Sequence, residues 1–154
     1  MNERYKCIVA VFLILTRQNQ GKTEVLLQER YNTGYMDGKY DTACSGHLEP
    51  NESLSMALVR EAKEEINLEI NEQDLELVSL VHPYQEGYVN VFFTTKKYSG
   101  TPRIMEPYKC SNLQWFDIDN LPHNTIDRIK NVIENMKKRI LYDDGNFSHQ
   151  KEIE

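Results

Sequence analysis

The stretch GHLEPNESLSMALVREAKEEINL, residues 46–68, carries one glycine, then Glu52, then the pair Arg60-Glu61, then Glu64-Glu65. Ser53 stands where a helix N-cap is wanted, and Leu54, Ala57, Leu58 and Ala62 form an apolar stripe at helical spacing behind it. The pattern predicts a helix from about Ser53 to Ile66. Asn67 follows, where a left-handed residue commonly ends a helix. On that helix Glu61, Glu64 and Glu65 lie at i, i+3 and i+4 and converge on one face. Clustered carboxylates disfavour one another's ionisation, and a divalent cation offsets the repulsion. Oxygen-only acidic ligands suit a hard cation, Mg²⁺ or alternatively Mn²⁺, held beside a phosphate chain. The plainer reading is a solvated acidic face with Arg60 and Lys63 nearby. It fits Glu64-Glu65 taken alone, and the full spacing from Gly46 onward speaks against it.

Outward from this segment the chain alternates strand and turn signals. Ile8 to Thr16 is apolar and rich in β-branched residues, and it predicts a buried strand. A turn over Gln18 to Lys22 joins it to a second strand over Glu24 to Glu29, giving a hairpin. Tyr31 to Lys39 reads as a loop, and Tyr40 to Ser45 as a short extended piece leading into Gly46. Beyond the helix, strands are predicted over Leu75 to His82 and Gly87 to Thr95, joined by a turn at Pro83 to Glu86. Ser99 to Pro107 is a loop, and Leu113 to Asp117 an aromatic strand. A second helix starts at Pro122 to Asn124, with Ile126, Ile129, Ile133, Met136 and Ile140 along one apolar face. Strands around one central helix with a second helix at the end imply a layered α/β sandwich.

The chain has 154 residues, which predicts a single domain over 1–142 and a polar, frayed tail over 143–154. A chain of this length buries roughly 70% of its unfolded surface, so a core without staples is expected. Three cysteines with no CxxC pair fit a reducing compartment better than a disulfide scaffold or a zinc site. The formal charge of −6 argues against a nucleic-acid polymer as partner, though not against a nucleotide whose charge a metal offsets. The longest apolar run, Cys7 to Leu15, is strand length, so no membrane span is expected. The polar start of the chain reads against a secretory signal, and a cytoplasmic protein is the expectation.

Gly46, Glu52, Arg60, Glu61, Glu64, Glu65 and Leu68 resemble the Nudix (MutT-like) box: glycine, five residues, glutamate, seven residues, arginine-glutamate, an aliphatic residue, any residue, glutamate-glutamate, any residue, glycine, aliphatic. Ala62 is a mild variation at the first aliphatic position. Asn67 replaces the second glycine, a departure at the helix terminus that concerns local stability more than ligands. The run from Gln114 to Pro122 also resembles the aromatic strand and Leu-Pro that precede the last helix in that family. The resemblance implies a Nudix-type α/β/α sandwich with a mixed central sheet. It implies that Glu61, Glu64, Glu65 and the Gly46 carbonyl bind Mg²⁺, and that Glu52 and Arg60 pair to brace the loop. The activity it implies is metal-dependent hydrolysis of a phosphoanhydride in a nucleoside triphosphate or other nucleoside-diphosphate-linked substrate. Glu61 and Glu64 are the expected catalytic residues. Glu61 is the first choice of general base, with Glu86 and Glu106 as loop alternatives. A nucleotide-sugar or ADP-ribose pyrophosphatase is the close competitor. A Nudix-fold domain that only binds a nucleotide is the rival from another class, and the intact glutamate set favours catalysis. The partner expected is a small nucleotide, and a homodimer stays open.

Several other residues admit two readings. Cys44 and His47 flank Gly46, and isopentenyl diphosphate isomerases, which share a Nudix-like fold, carry a cysteine directly before a Gly-His pair. Ser45 intervenes here, so strand alternation turns Cys44 to the other face, away from Gly46, as a buried small hydrophobe. His47 reads as a turn histidine that could touch a phosphate. Trp115 reads as core rather than as a stacking platform. Tyr31, Tyr35, Tyr40, Tyr84 and Tyr88 cluster around the expected site, and one or two of them are expected to face the substrate.

Overall fold

The computed structural model describes residues 2–145. Strands β1 (Ile8–Asn19) and β2 (Lys22–Arg30) form a hairpin on Gln20 and Gly21, whose φ angles are 52° and 79°. Both strands run closer to the turn than the side-chain pattern predicts. Two successive positive-φ residues make the tight connection whose twist matches the flanking strands, so pairing continues to its edge. β3 (Tyr40–Thr42) and β4 (Cys44–His47) are two strands where one extended piece is predicted. Helix α1 (Leu54–Ile66), β5 (Glu76–Val81), β6 (Tyr88–Thr95), β7 (Cys110–Asp117), α2 (Asp127–Lys137) and β8 (Tyr142–Asp143) complete the order.

The strands form one mixed sheet in the order β3-β2-β1-β6-β5-β8, with β4 also on β1 and β7 also on β2. β1 runs parallel to β6, and β5 parallel to β8. Alternation along β1 explains the layering. Val11, Leu13 and Leu15 pack with Ala57, Leu58, Ala62 and Ile66 of α1 on one face. Ile14 packs with Ile129, Val132 and Ile133 of α2 on the other, with Phe12 beside them. A strand covered on both faces reads as a continuous apolar run, which is how Ile8 to Leu15 looks in sequence. The result is the expected α/β/α sandwich.

The hairpin arms do not stay together. β1 pairs with β2 only from Thr16↔Val25 to the turn. The first half of β1 pairs with β4 and β6, whereas the second half of β2 pairs with β3 and β7. This parting opens a cleft between the two halves of the sheet.

Helix α1 ends as the sequence predicts. The Ser53 Oγ accepts from the Met56 amide at 3.1 Å, and Asn67 is left-handed with φ 60°. The Leu68 amide then closes on the Ala62 carbonyl at 3.1 Å, so asparagine does the work of the missing glycine.

Three boundaries depart from expectation. β7 starts at Cys110 rather than Leu113, because Arg30 and Glu29 pair with Cys110 and Asn112 across a bulge despite the polar side chains there. Residues 122–125 are a turn, closed by the Thr125 amide and hydroxyl on the Pro122 carbonyl, and α2 begins only at Asp127. At its far end Arg139 has φ 59°, so Ile140 lies outside the helix and is 44% exposed. Finally, β8 was not foreseen. Asp143, assigned from sequence to the tail, is buried, and its Oδ2 accepts from Asn135 Nδ2 at 3.0 Å. The rest of the expected tail, 146–154, lies outside the described residues.

Candidate active site

The cleft between the sheet halves is a cavity of about 490 Å³. β4 forms its edge near α1. Ser45, Gly46 and His47 of β4 line it together with Glu61 and Glu65 of α1. Those carboxylates come from the helix on the opposite face of the sheet, and Gly46 is what admits them. A Cβ at Gly46 would run into the Glu61 carboxylate, so only glycine leaves the space that Glu61 fills. The Ser45 amide donates to Glu65 Oε2 at 3.3 Å and anchors the second carboxylate. Burial pushes Glu65 up to about 8, and the charge on Glu61 adds to the rise. Burial also raises Glu61, against the opposing pull of Arg60.

Arg60 organises the charges behind the cavity. Its Nε and Nη2 fork onto both oxygens of Glu52 at 2.6 and 3.1 Å, the brace that the motif implies. Its Nη1 also donates to Glu61 at 2.8 Å and to Glu64 at 3.4 Å. Glu52 first and Glu61 after it hold the guanidinium protonated more firmly than usual.

The three carboxylates stay near one another but do not all enter the cavity. Residues i+3 and i+4 fall on opposite sides of residue i around a helix. Glu65 therefore joins Glu61 at the cavity, and Glu64 turns to the outer side of Arg60, with its side chain 55% exposed. Among the described residues no three His, Cys, Asp or Glu side chains stand close enough to form a ready metal cage. The donor chemistry still fits a hard cation. Two partly buried carboxylates face one cavity, all donors are oxygen, and the burial and mutual repulsion that raise Glu65 are what a bound cation would offset.

The three candidate bases, Glu61, Glu86 and Glu106, all line the cavity. Glu106 accepts from Lys109 at 2.9 Å and from the Tyr108 hydroxyl at 3.2 Å, and it raises the Lys109 ammonium. Glu86 lies 4.0 Å from Arg128. Of the tyrosines, Tyr35 and Tyr88 reach the cavity. Tyr40 is buried edge-on against Phe116, and Tyr31 and Tyr84 are exposed outside the lining. Trp115 is half-buried against the α1 side of the core, with the Arg17 guanidinium 4.2 Å above its ring, so it is no part of this site.

Cys44 is fully buried in the α1 cluster, and burial pushes its thiol well up. Contrary to the expectation that Cys44 turns away from Gly46, the two residues, two apart in β4, both face α1, and Ser45 between them lines the cavity from the other face. Cys44→Ala should leave turnover unchanged and lower stability by roughly 1 kcal/mol through a small cavity. Loss of turnover with an unchanged melting temperature would reopen a thiol mechanism.

The cavity also contains residues that motif reading missed: Arg30, Asp41, Asn90 and Lys109 on or beside strands, and Arg128 in the first turn of α2. Asp41 is buried, and Arg30 Nη1 donates to it at 3.1 Å. Polar residues inside apolar strand patterns, Asn90 in YVNVFFTT above all, were the available signal.

Known proteins share this fold. A MutT NUDIX hydrolase from Burkholderia pseudomallei superposes with a TM-score of 0.72 at 22% identity, covering 84% of this chain and 98% of that one. The NUDIX domain of Shewanella oneidensis NrtR, solved with ADP ribose, superposes with a TM-score of 0.67 at 18% identity over 87% and 88% of the two chains. In sequence, the chain is 30% identical over 114 residues to a NAD-capped RNA hydrolase NudC of Pseudomonas entomophila, 73% of this chain and 37% of that protein. It therefore spans about a third of the length of the curated relatives it matches. The NUDIX domain model matches residues 7–136, which take in every strand and helix from β1 to the last turn of α2. With the domain model spanning most of the chain and the fold shared, the chain belongs to the NUDIX domain family.

Proposed function

We propose that this protein is a metal-dependent hydrolase that cleaves a phosphoanhydride bond in a nucleoside-diphosphate-linked substrate. The observation that carries the reading is the juxtaposition of Glu61 and Glu65 at Gly46, on the wall of a cavity of about 490 Å³. In this proposal Glu61, Glu65 and the Gly46 carbonyl hold Mg²⁺ or Mn²⁺. Glu64, within reach of the same guanidinium as Glu61, is the third carboxylate. A bound divalent cation would neutralise the charge that develops on the phosphate oxygens. The chain's own groups supply the rest. Lys109 brings a cation to the cavity for a phosphate oxygen. A carboxylate, Glu61 first, takes the proton from the water that attacks phosphorus as the bridging P–O bond breaks.

The similarity to NudC proteins and to a domain solved with ADP ribose favours a substrate with a group beyond the diphosphate over a simple triphosphate. The test is a panel with Mg²⁺: nucleoside triphosphates, ADP-ribose, NADH and nucleotide sugars, with products identified. Release of a nucleoside monophosphate from a linked diphosphate is the expected result. Absence of turnover on the whole panel, with tight binding of one member, would replace catalysis by nucleotide binding.

A further inference from the structure

Asn90 is 2% exposed, yet among the described residues no group hydrogen-bonds its side chain. It lines the cavity. The residue is buried, but its amide opens onto the cavity in place of a protein partner, so its hydrogen bonds fall to whatever fills that space. Ser79 Oγ, by contrast, is the one fully buried polar side-chain atom without a partner among the described residues; it is sealed off from solvent and lies outside the cavity lining. The Asn90 amide differs because it opens on a cavity large enough to hold a ligand.

Its surroundings tell what would lie there. Ala10 and Phe12 of β1 pair with Asn90 and Phe92 of β6, and the Phe12 ring stacks on Phe92 at 4.5 Å. Ile126, just before α2, and Ile129 of α2 line the same space. An apolar floor and wall around one unpartnered amide is the usual build of a pocket for a flat ring, in which few polar groups fix orientation. An asparagine offers a donor and an acceptor side by side, which match a ring edge that carries both.

We propose that Asn90 is the specificity-determining contact for a planar nitrogen heterocycle whose edge presents adjacent donor and acceptor groups: a nucleobase, or the carboxamide of a nicotinamide. The inference rests on the functional reading above, of which it names the part that recognises the substrate. The heterocycle lies over Phe12 with its polar edge on Asn90, and the phosphates run toward Glu61 and Glu65.

Calorimetric titration of the full chain with AMP, GMP, CMP, UMP, nicotinamide mononucleotide and ribose 5-phosphate tests it. The wild-type protein should bind at least one of the five heterocycle-bearing compounds, and which one separates nucleobase from nicotinamide. Asn90→Leu should weaken that binding by about tenfold or more. It should leave ribose 5-phosphate affinity unchanged and should not lower the melting temperature, because an apolar isostere relieves an unpaired amide. If Asn90→Leu fails to fold, Asn90→Ala is compared in the same way. Equal heterocycle affinity in wild type and variant, an equal loss for ribose 5-phosphate, or no binding of any of the five would overturn the proposal. A wild-type protein that binds one of them through Asn90 but hydrolyses no phosphoanhydride would keep this inference and remove the catalytic reading.

Discussion

Gly46→Ala should reduce hydrolysis by about a hundredfold or more while leaving the melting temperature within a few degrees of wild type. The added Cβ would occupy the space of the Glu61 carboxylate. That carboxylate is the far end of a flexible side chain, so the conflict resolves by displacing Glu61 rather than by unfolding β4. The displaced group is the one proposed to hold the metal and accept a proton, and a misplacement of about 1 Å in a reacting constellation costs on the order of 10²-fold. Because φ at Gly46 is not positive, backbone strain plays no part, and the test isolates space. Steady-state kinetics on the best substrate of the panel, together with thermal unfolding, give the answer. A Gly46→Ala protein with wild-type turnover would mean that Glu61 works from another position or does not take part.

Glu65→Gln should produce two effects of opposite sign. Hydrolysis should fall by about 10²- to 10³-fold, since a preorganised charge at the reacting phosphate is lost. Without metal, the substituted protein should be more stable than wild type at pH 8–9. The sign follows from linkage. In the folded protein Glu65 is raised to about 8, whereas in the unfolded chain it ionises near the ordinary glutamate value of 4.5. Between those values the folded state holds more protons, so metal-free stability falls as pH rises through the window and levels off above it. Glutamine removes the slope. In wild type, Mg²⁺ should restore stability at high pH, because it binds the folded form with the carboxylate ionised. Melting curves at pH 5, 7 and 9 with and without Mg²⁺ measure this. A wild-type curve independent of both pH and metal would count against Glu65 as a buried ligand.

Glu64→Gln is the informative contrast. The sequence places Glu64 with Glu61 and Glu65, whereas the structure turns it to solvent beside Arg60. A loss as large as that of Glu65→Gln would show that Glu64 swings to the cavity during turnover.

The fold was legible in sequence where one local rule was sufficient. The apolar run of β1, the N-cap at Ser53, the αL terminus at Asn67 and the spacing Gly46 to Glu65 each follow from neighbouring residues alone. They are sufficient for the strand-helix order, for the pairing of Glu52 with Arg60, and for bringing Glu61 and Glu65 close to Gly46. The boundaries of β7 and α2 and the existence of β8 were not legible, because each depends on a distant partner: Arg30 for Cys110, a turn at Pro122, and β5 for Tyr142 and Asp143.

Which carboxylates share the cavity was likewise decided only in three dimensions. Helical spacing permits Glu61 to meet either Glu64 or Glu65, and the open edge of β4, through the Ser45 amide, selects Glu65. Arg30, Asp41, Asn90 and Arg128 come from four separate segments and have no spacing in common. They meet because β1 and β2 part after Thr16 and Val25 and the loops and α2 close over the gap. The sequence by itself determined the local arrangement of the groups proposed to hold the metal, because they sit on one helix and one turn. The tertiary structure decided what that machinery faces, since a cavity is made by elements that only packing brings together.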